Sequence, residues 1–171
     1  SSGGLGFGYW LANVIAVDRT GEKIIPAYSE LYALHHEGEQ EASENKKILD
    51  SISTVQDVVG KGQTIVIDRG ADRRVLIEQF LQDNRYFIIR QTGNRDLHTG
   101  EKRFSLRSLS KKMSLYYRIN VTKTRHGKKR IDTYHCGAMR VYFPNKHNGC
   151  CWEDPLWLVK AQRERKGFVW Y

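Results

Sequence analysis

The residue of this sequence best placed to do chemistry is Asp68, which follows the short apolar run at residues 64–67 (TIVI). Such a run without alternation predicts a central strand that is covered on both faces. Open α/β sheets gather ligand groups at the carboxyl ends of their strands, and the N-terminus of a following helix favours anions there. Asp68 is therefore a candidate metal ligand. The alternative is that Asp68 only closes the turn, a role for which Asp is commonly selected.

Three charged residues that follow Asp68 are also candidates for a role. Asp72 is expected to be the N-cap of the next helix, because this position favours a short side chain that accepts hydrogen bonds. Arg69 and Arg73 are expected to screen phosphate charge near Asp68. A structural ion pair is the alternative for Arg69.

The positive charge of the chain is concentrated in its second half. The chain has 171 residues and a net charge of +9. Residues 1–89 hold nine Lys or Arg and 13 Asp or Glu, a net charge of −4, whereas residues 90–171 hold 19 and six, a net charge of +13. So much like charge in one segment indicates a polyanionic partner, and nucleic acid fits best because each neutralised phosphate releases counterions.

Residues of the basic half alternate between cations and aromatic side chains. The cations can contact backbone phosphates without reading sequence, whereas the alternation around Tyr117 predicts a half-buried strand in which most tyrosines belong to the core. The expected DNA contacts are Arg69, Arg73, Arg90, Arg95, Lys123, Arg125, Lys128, Lys129 and Arg130.

The periodicity of the chain predicts a mixed α/β fold with helices packed against a sheet. Residues 9–17 and 23–34 form a predicted hairpin. Apolar spacings of three and four over residues 48–59 and 75–81 predict two helices, the first of which begins at Ser43 or Glu44. Residues 64–68 and 86–90 are predicted strands. Residues 91–113 are predicted as polar turns, and further strands are predicted near residues 115–122, 131–143, 155–161 and 167–171. The expected boundary lies at residue 92, between an α/β part (1–92) and a basic β-rich part (93–171).

Several of these segments together resemble one enzyme family. Residues 66–72 (VIDRGAD) resemble the block around the second catalytic aspartate of DDE-type insertion-sequence transposases. Residues 8–11 (GYWL) with 25–26 (IP), 43–49 (SENKKIL), and 87–90 (FIIR) with 94–95 (NR) resemble neighbouring landmarks in the same order. The resemblance covers residues 6–98, and the remainder resembles the family only as a divergent basic β-rich insertion.

The resemblance implies an incomplete RNase H-like mixed sheet with flanking helices, plus a basic β-rich insertion. It also implies metal-dependent cleavage and transfer of double-stranded DNA at element ends and target, with two Mg²⁺ ions held by three carboxylates. Asp68 would be the second of these carboxylates. The complete protein could act as a homodimer.

The other two carboxylates of the family pattern have no counterpart in this sequence. The first Asp belongs on a strand before residue 8, and the third, a Glu in a Tyr-x2-Arg-x3-Glu helix, belongs after residue 171. We therefore expect this chain to be a fragment that does not cleave DNA alone. The alternative function is a non-catalytic basic nucleic-acid-binding module.

Composition excludes several other classes of protein. The apolar runs are far shorter than the ~20 residues of a membrane-spanning helix, and no secretory signal opens the sequence. Three cysteines are too few for a disulfide scaffold. The sequence therefore favours a cytoplasmic protein without a membrane partner.

Overall fold

A computed structural model describes residues 9–32, 44–60, 62–100, 102–125, 127–145, 151–164 and 169–170. Within these ranges the chain is a mixed α/β protein with three α-helices and four small sheets. It divides into two compact units, residues 1–64 and 65–171.

The first unit is a β-hairpin with one helix packed on it. Strands β1 (Trp10–Val17) and β2 (Ile24–Tyr32) pair antiparallel, as predicted. The carboxylate of Asp18 closes the turn between them by accepting hydrogen bonds from Thr20 Oγ1 at 2.8 Å and from the amide of Glu22 at 3.0 Å. Helix α1 (Glu44–Val59) contacts both strands and ends at Gly60, whose φ of +86° favours glycine.

The second unit begins with the strand that carries the candidate site. Strand β3 (Thr64–Ile67) pairs with β4 (Tyr86–Ile89) in a two-stranded sheet, and between them lie a 3₁₀ turn (Arg69–Ala71) and helix α2 (Arg74–Gln82). The expectation that β3 is covered on both faces is wrong. Its residues alternate between exposed and half-buried, and Val66 is 72% exposed.

Residues 91–113, predicted as polar turns, instead form regular structure. Strands β5 (Asp96–Thr99) and β6 (Lys102–Ser105) make a hairpin, and helix α3 (Leu106–Lys112) follows at once. The hydroxyl of Ser105 caps this helix by accepting a hydrogen bond from the amide of Ser108 at 3.3 Å. The prediction missed these elements because they are short and their residues are mostly polar or charged, so they show neither an apolar run nor a clear period.

The basic half is built around a four-stranded sheet, as the β-rich prediction required. Strands β7 (Tyr117–Arg125), β8 (Lys128–Val141), β9 (Leu156–Arg163) and β10 (Val169–Trp170) lie in the order β10-β9-β8-β7. The pairs β7–β8, β8–β9 and β9–β10 are antiparallel.

One hydrophobic core holds the second unit together. Its buried side chains come from α2, β5, α3, the end of β8, β9 and the residues that directly follow α3 and β8: Ile77, Leu97, Leu106, Leu109, Met113, Val141, Phe143 and Leu158. This core spans both sides of residue 92, where the sequence suggested a domain boundary. Residues 65–92 and 93–171 therefore bury their apolar surface together, and the two compact units separate instead near residue 64.

Candidate functional site

Asp68 lies directly after β3 and its carboxylate is exposed. The side chain is 70% accessible to solvent. A hydrogen bond from the backbone amide of Arg69, with smaller electrostatic contributions from Arg90 and Arg69, lowers the pKa of Asp68 below its ordinary value. Asp68 is therefore an ionised carboxylate directly after a strand, where the sequence placed it.

Asp68 has one ion-pair partner among the described residues. Nη1 of Arg90, which follows β4, lies 3.3 Å from Oδ1 of Asp68, and the Arg90 side chain is itself 36% exposed. An exposed pair at this distance contributes little to stability and is readily displaced. The carboxylate thus keeps capacity for another ligand, because an ionised carboxyl group can accept about four hydrogen bonds.

Asp68 and Arg90 lie on the lining of an open cavity of about 980 Å³ within the second unit. Most of the lining is apolar, and strands β3, β4 and β9 contribute its largest share. Its members include exposed large side chains on all three strands: Val66, Tyr86, Ile88, Trp157 and Val159. The cavity therefore combines an apolar wall with a charged margin.

The described residues do not fit a two-metal centre by themselves. No group of three or more His, Cys, Asp or Glu side chains converges on one point anywhere in the described ranges. Asp154 also lines the cavity, but a lone second carboxylate does not complete the all-oxygen shell that Mg²⁺ needs. Asp68 can therefore supply one oxygen ligand to a cation, but the described residues do not assemble a catalytic metal site around it.

Asp72 is not the helix cap that the sequence predicted. Helix α2 begins after Arg73, and the Asp72 side chain, only 2% exposed, points to the β4–β5 connection. It accepts hydrogen bonds from the amides of Thr92 at 2.8 Å and Gly93 at 2.9 Å, and it forms a close ion pair with Arg95. Asp72 therefore fastens the segment after Asp68 to the start of β5.

The arginines expected to contact DNA near Asp68 occupy different environments. Arg69 is exposed, whereas Arg73 is half-buried and already engaged. Arg95 is 18% exposed, pairs with Asp72, and lies over the ring of Phe143 at 5.5 Å. Burial also lowers the pKa of Arg95. The structure thus gives Arg95 an internal partner, and Arg69 and Arg90 are better placed to reach a phosphate on this side.

The remaining expected contacts lie together on the β7–β8 hairpin. Lys123 pairs in register with Arg130, Thr124 with Lys129, and Arg125 with Lys128. Lys123, Lys128, Lys129 and Arg130 are all exposed, and the side chain of Arg125 lies outside the described residues. The hairpin therefore concentrates cations at one end of the four-stranded sheet.

Tyr116 and Tyr117, at the start of β7, are not part of the core, contrary to the sequence interpretation. Tyr116 is 59% and Tyr117 is 61% exposed, and their rings contact each other with centroids 4.6 Å apart. Ile119 and Ile131 are exposed as well. Alternation in β7 was correctly taken to indicate a strand, but it did not show that neither face of this edge strand is well covered.

Sequence reasoning missed Asp132, the buried carboxylate of the hairpin. Its side chain is 4% exposed and lies against three cations, Lys123, Arg130 and Arg163. Burial alone would raise the pKa of Asp132, but the hydrogen bond and charge of Arg163, aided by the other two cations, hold it below its ordinary value. The signal available in the sequence was one acidic residue within a basic β-strand.

Comparison of the sequence with protein-family models and with curated proteins finds no match. Among the described residues, no helix has both the length and the apolar character needed to cross a membrane.

Proposed function

We propose that this chain forms part of an RNase H-like transposase core in which Asp68 is the second of three metal-binding carboxylates. The observation that carries the proposal is the exposed, ionised Asp68 carboxylate at the end of β3, at the margin of an open cavity. A carboxylate fixed to a strand but free at its head is suited to hold a cation.

In this proposal the substrate is double-stranded DNA. Arg69 and Arg90 would contact phosphates beside Asp68. The basic β7–β8 hairpin, which comes later in the sequence, would bind further phosphates of the duplex. The complete site would bind two Mg²⁺ ions and would require two more carboxylates besides Asp68, so DNA cleavage is proposed only for the complete protein.

The test is Asp68→Asn in the intact protein that contains this chain. We expect loss of DNA strand cleavage with nearly unchanged affinity for duplex DNA, because the variant removes a metal ligand but keeps the shape of the side chain. Asp154→Asn is the matched control, since Asp154 lines the same cavity and is exposed. Cleavage that persists in Asp68→Asn would overturn the assignment of Asp68, whereas cleavage that is lost in both variants would add Asp154 to the carboxylates that the site requires.

The second candidate function is DNA binding without catalysis. The contact between Asp68 and Arg90 favours it, because in this case the carboxylate needs no cation. The two candidates differ in one measurement: a non-catalytic module binds duplex DNA with strong salt dependence, but the intact protein shows no Mg²⁺-dependent cleavage with or without Asp68.

A further inference from the structure

We propose that Asp132 is a positioning residue that fixes Lys123 and Arg130 as a preorganised pair of phosphate-binding cations on one face of the β7–β8 hairpin. This inference rests on the DNA binding proposed above. In it a carboxylate, besides the cations, determines how this surface binds phosphate.

The strand register places the three side chains on the same face. Lys123 is directly opposite Arg130, and Val121 is directly opposite Asp132. Because side chains two residues apart on a strand share a face, Lys123, Arg130 and Asp132 lie on one side of the hairpin, whereas Lys129 lies on the other. Like charges directly opposite each other destabilise a strand pair, so the Lys123–Arg130 arrangement needs an anion nearby.

Asp132 supplies that anion from within the sheet. Its Oδ2 lies 3.5 Å from Lys123 Nζ, and its Oδ1 lies 3.2 Å from Arg130 Nε. Arg163 on β9, itself 19% exposed, forms a close ion pair with the same carboxylate and so anchors it from the neighbouring strand. Asp132 is therefore held in place by a partner that solvent scarcely reaches.

The two outer cations remain accessible. Lys123 is 54% and Arg130 is 59% exposed, whereas the carboxylate between them is 4% exposed. Lys123 Nζ also donates a hydrogen bond to the hydroxyl of Tyr134 at 3.1 Å, which restricts it further. The Asp132 contact uses Nε of Arg130, and in the described ranges no hydrogen bond engages its Nη groups, which can form a charge-assisted pair with a phosphate.

The net charge of this cluster favours the binding of a polyanion. Three cations share one carboxylate, so the cluster keeps a formal excess of two positive charges. Because Lys123 and Arg130 are already restrained, binding a phosphate would immobilise less side-chain freedom than two free surface cations would lose. Preorganisation of this kind increases affinity without adding a contact.

The test compares the DNA affinity of the wild-type chain with that of Asp132→Asn over a series of salt concentrations. The substitution raises the net charge by one, so a carboxylate that merely neutralises the surface predicts tighter binding of a duplex oligonucleotide. A positioning role predicts the opposite sign, and we expect binding weaker by about tenfold. Equal or tighter binding by Asp132→Asn would overturn the inference.

A second comparison leaves Asp132 in place and so remains informative if Asp132→Asn is poorly folded. Lys123→Ala and Lys129→Ala remove the same charge from opposite faces of the hairpin. We expect a loss of about tenfold for Lys123→Ala and of about twofold for Lys129→Ala. Equal losses of DNA affinity would show that only the total charge matters, and would overturn the proposal that the phosphate site lies on one face of the hairpin. Failure of the wild-type chain to bind DNA at all would instead reject the proposed DNA binding.

Discussion

Replacing Asp72 should destabilise the second unit strongly, although Asp72 lies only four positions after the exposed Asp68. The Asp72 side chain is 2% exposed, accepts hydrogen bonds from the amides of Thr92 and Gly93, and pairs with Arg95. Asp72→Ala leaves two amides and one largely buried guanidinium without their acceptor. Loss of one partner from a buried ion pair costs about 3–5 kcal/mol.

A loss of that size is a large share of the roughly 5–15 kcal/mol that stabilises a typical domain. At about 4–8 °C per kcal/mol for a domain of this size, the Tm should fall on the order of 20 °C. Urea denaturation followed by circular dichroism, together with a thermal scan, measures both quantities.

Asp96→Ala is the matched control for Asp72→Ala. Asp96 also pairs closely with an arginine, Arg103, but the two side chains are 42% and 67% exposed. An exposed pair contributes about 0–1 kcal/mol, so this control should change the Tm only slightly. If Asp72→Ala and Asp96→Ala lowered stability equally, the reasoning from burial would be refuted.

Two further predictions concern the four-stranded sheet. Because the folded-state pKa of Asp132 lies below its ordinary value of 3.8, its stabilising effect is complete above about pH 4 and is lost as the pH falls through the folded value. NMR of the hairpin amides should show this acid transition in the wild type. If the hairpin amides of Asp132→Asn showed the same transition, the prediction would be contradicted. Gly137→Ala should lower the free energy of unfolding by about 1–3 kcal/mol, since the added Cβ would overlap the backbone carbonyl oxygen of Ser114. Gly70→Ala, where nothing lies within 4 Å of the added Cβ, should melt nearly as the wild type, and equal melting of both variants would contradict the close approach at Gly137.

The sequence predicted the elements that have a clear period or a run of mostly apolar residues. The β1–β2 hairpin, α1, α2, β3, β4 and the strands of the basic half all appear close to their predicted positions. Alternation and helical spacing are local properties, so they can be recognised without knowledge of the fold. The β5–β6 hairpin and α3 were missed because their residues are mostly polar or charged, whereas the equally short β3 and β4 are mostly apolar. Their buried residues, such as Leu97 and Leu109, are recognisable only by the core that they join.

Burial was predicted less well than secondary structure. The run in β3 indicated a covered strand, yet Val66 is exposed and lines the cavity instead of the core. The tyrosines of the basic half indicated a core, yet Tyr116 and Tyr117 are exposed. Residue type reports the preference of a side chain for an apolar environment, whereas the number of neighbouring strands and helices decides whether that environment exists.

The environment of a charged residue was likewise not predictable from its neighbours in the sequence. Asp68, Asp72 and Asp132 each lie within two residues of an arginine in the sequence, so their local patterns are nearly indistinguishable. Their tertiary partners separate them. Asp72 and Asp132 are buried and engage several donors or cations each, whereas Asp68 is exposed and has one ion pair at 3.3 Å.

The number of partners that each carboxylate already has decides which of them can bind a ligand. A buried carboxylate that is held by several internal donors or cations cannot take up a further cation without disturbing contacts that stabilise the fold. The exposed Asp68 carboxylate, whose ion pair with Arg90 is long, can exchange Arg90 for a cation at little cost to the fold. For this reason Asp72 and Asp132 are assigned to positioning, of the β4–β5 connection and of the hairpin cations respectively, and Asp68 is the carboxylate of the three that remains suited to chemistry.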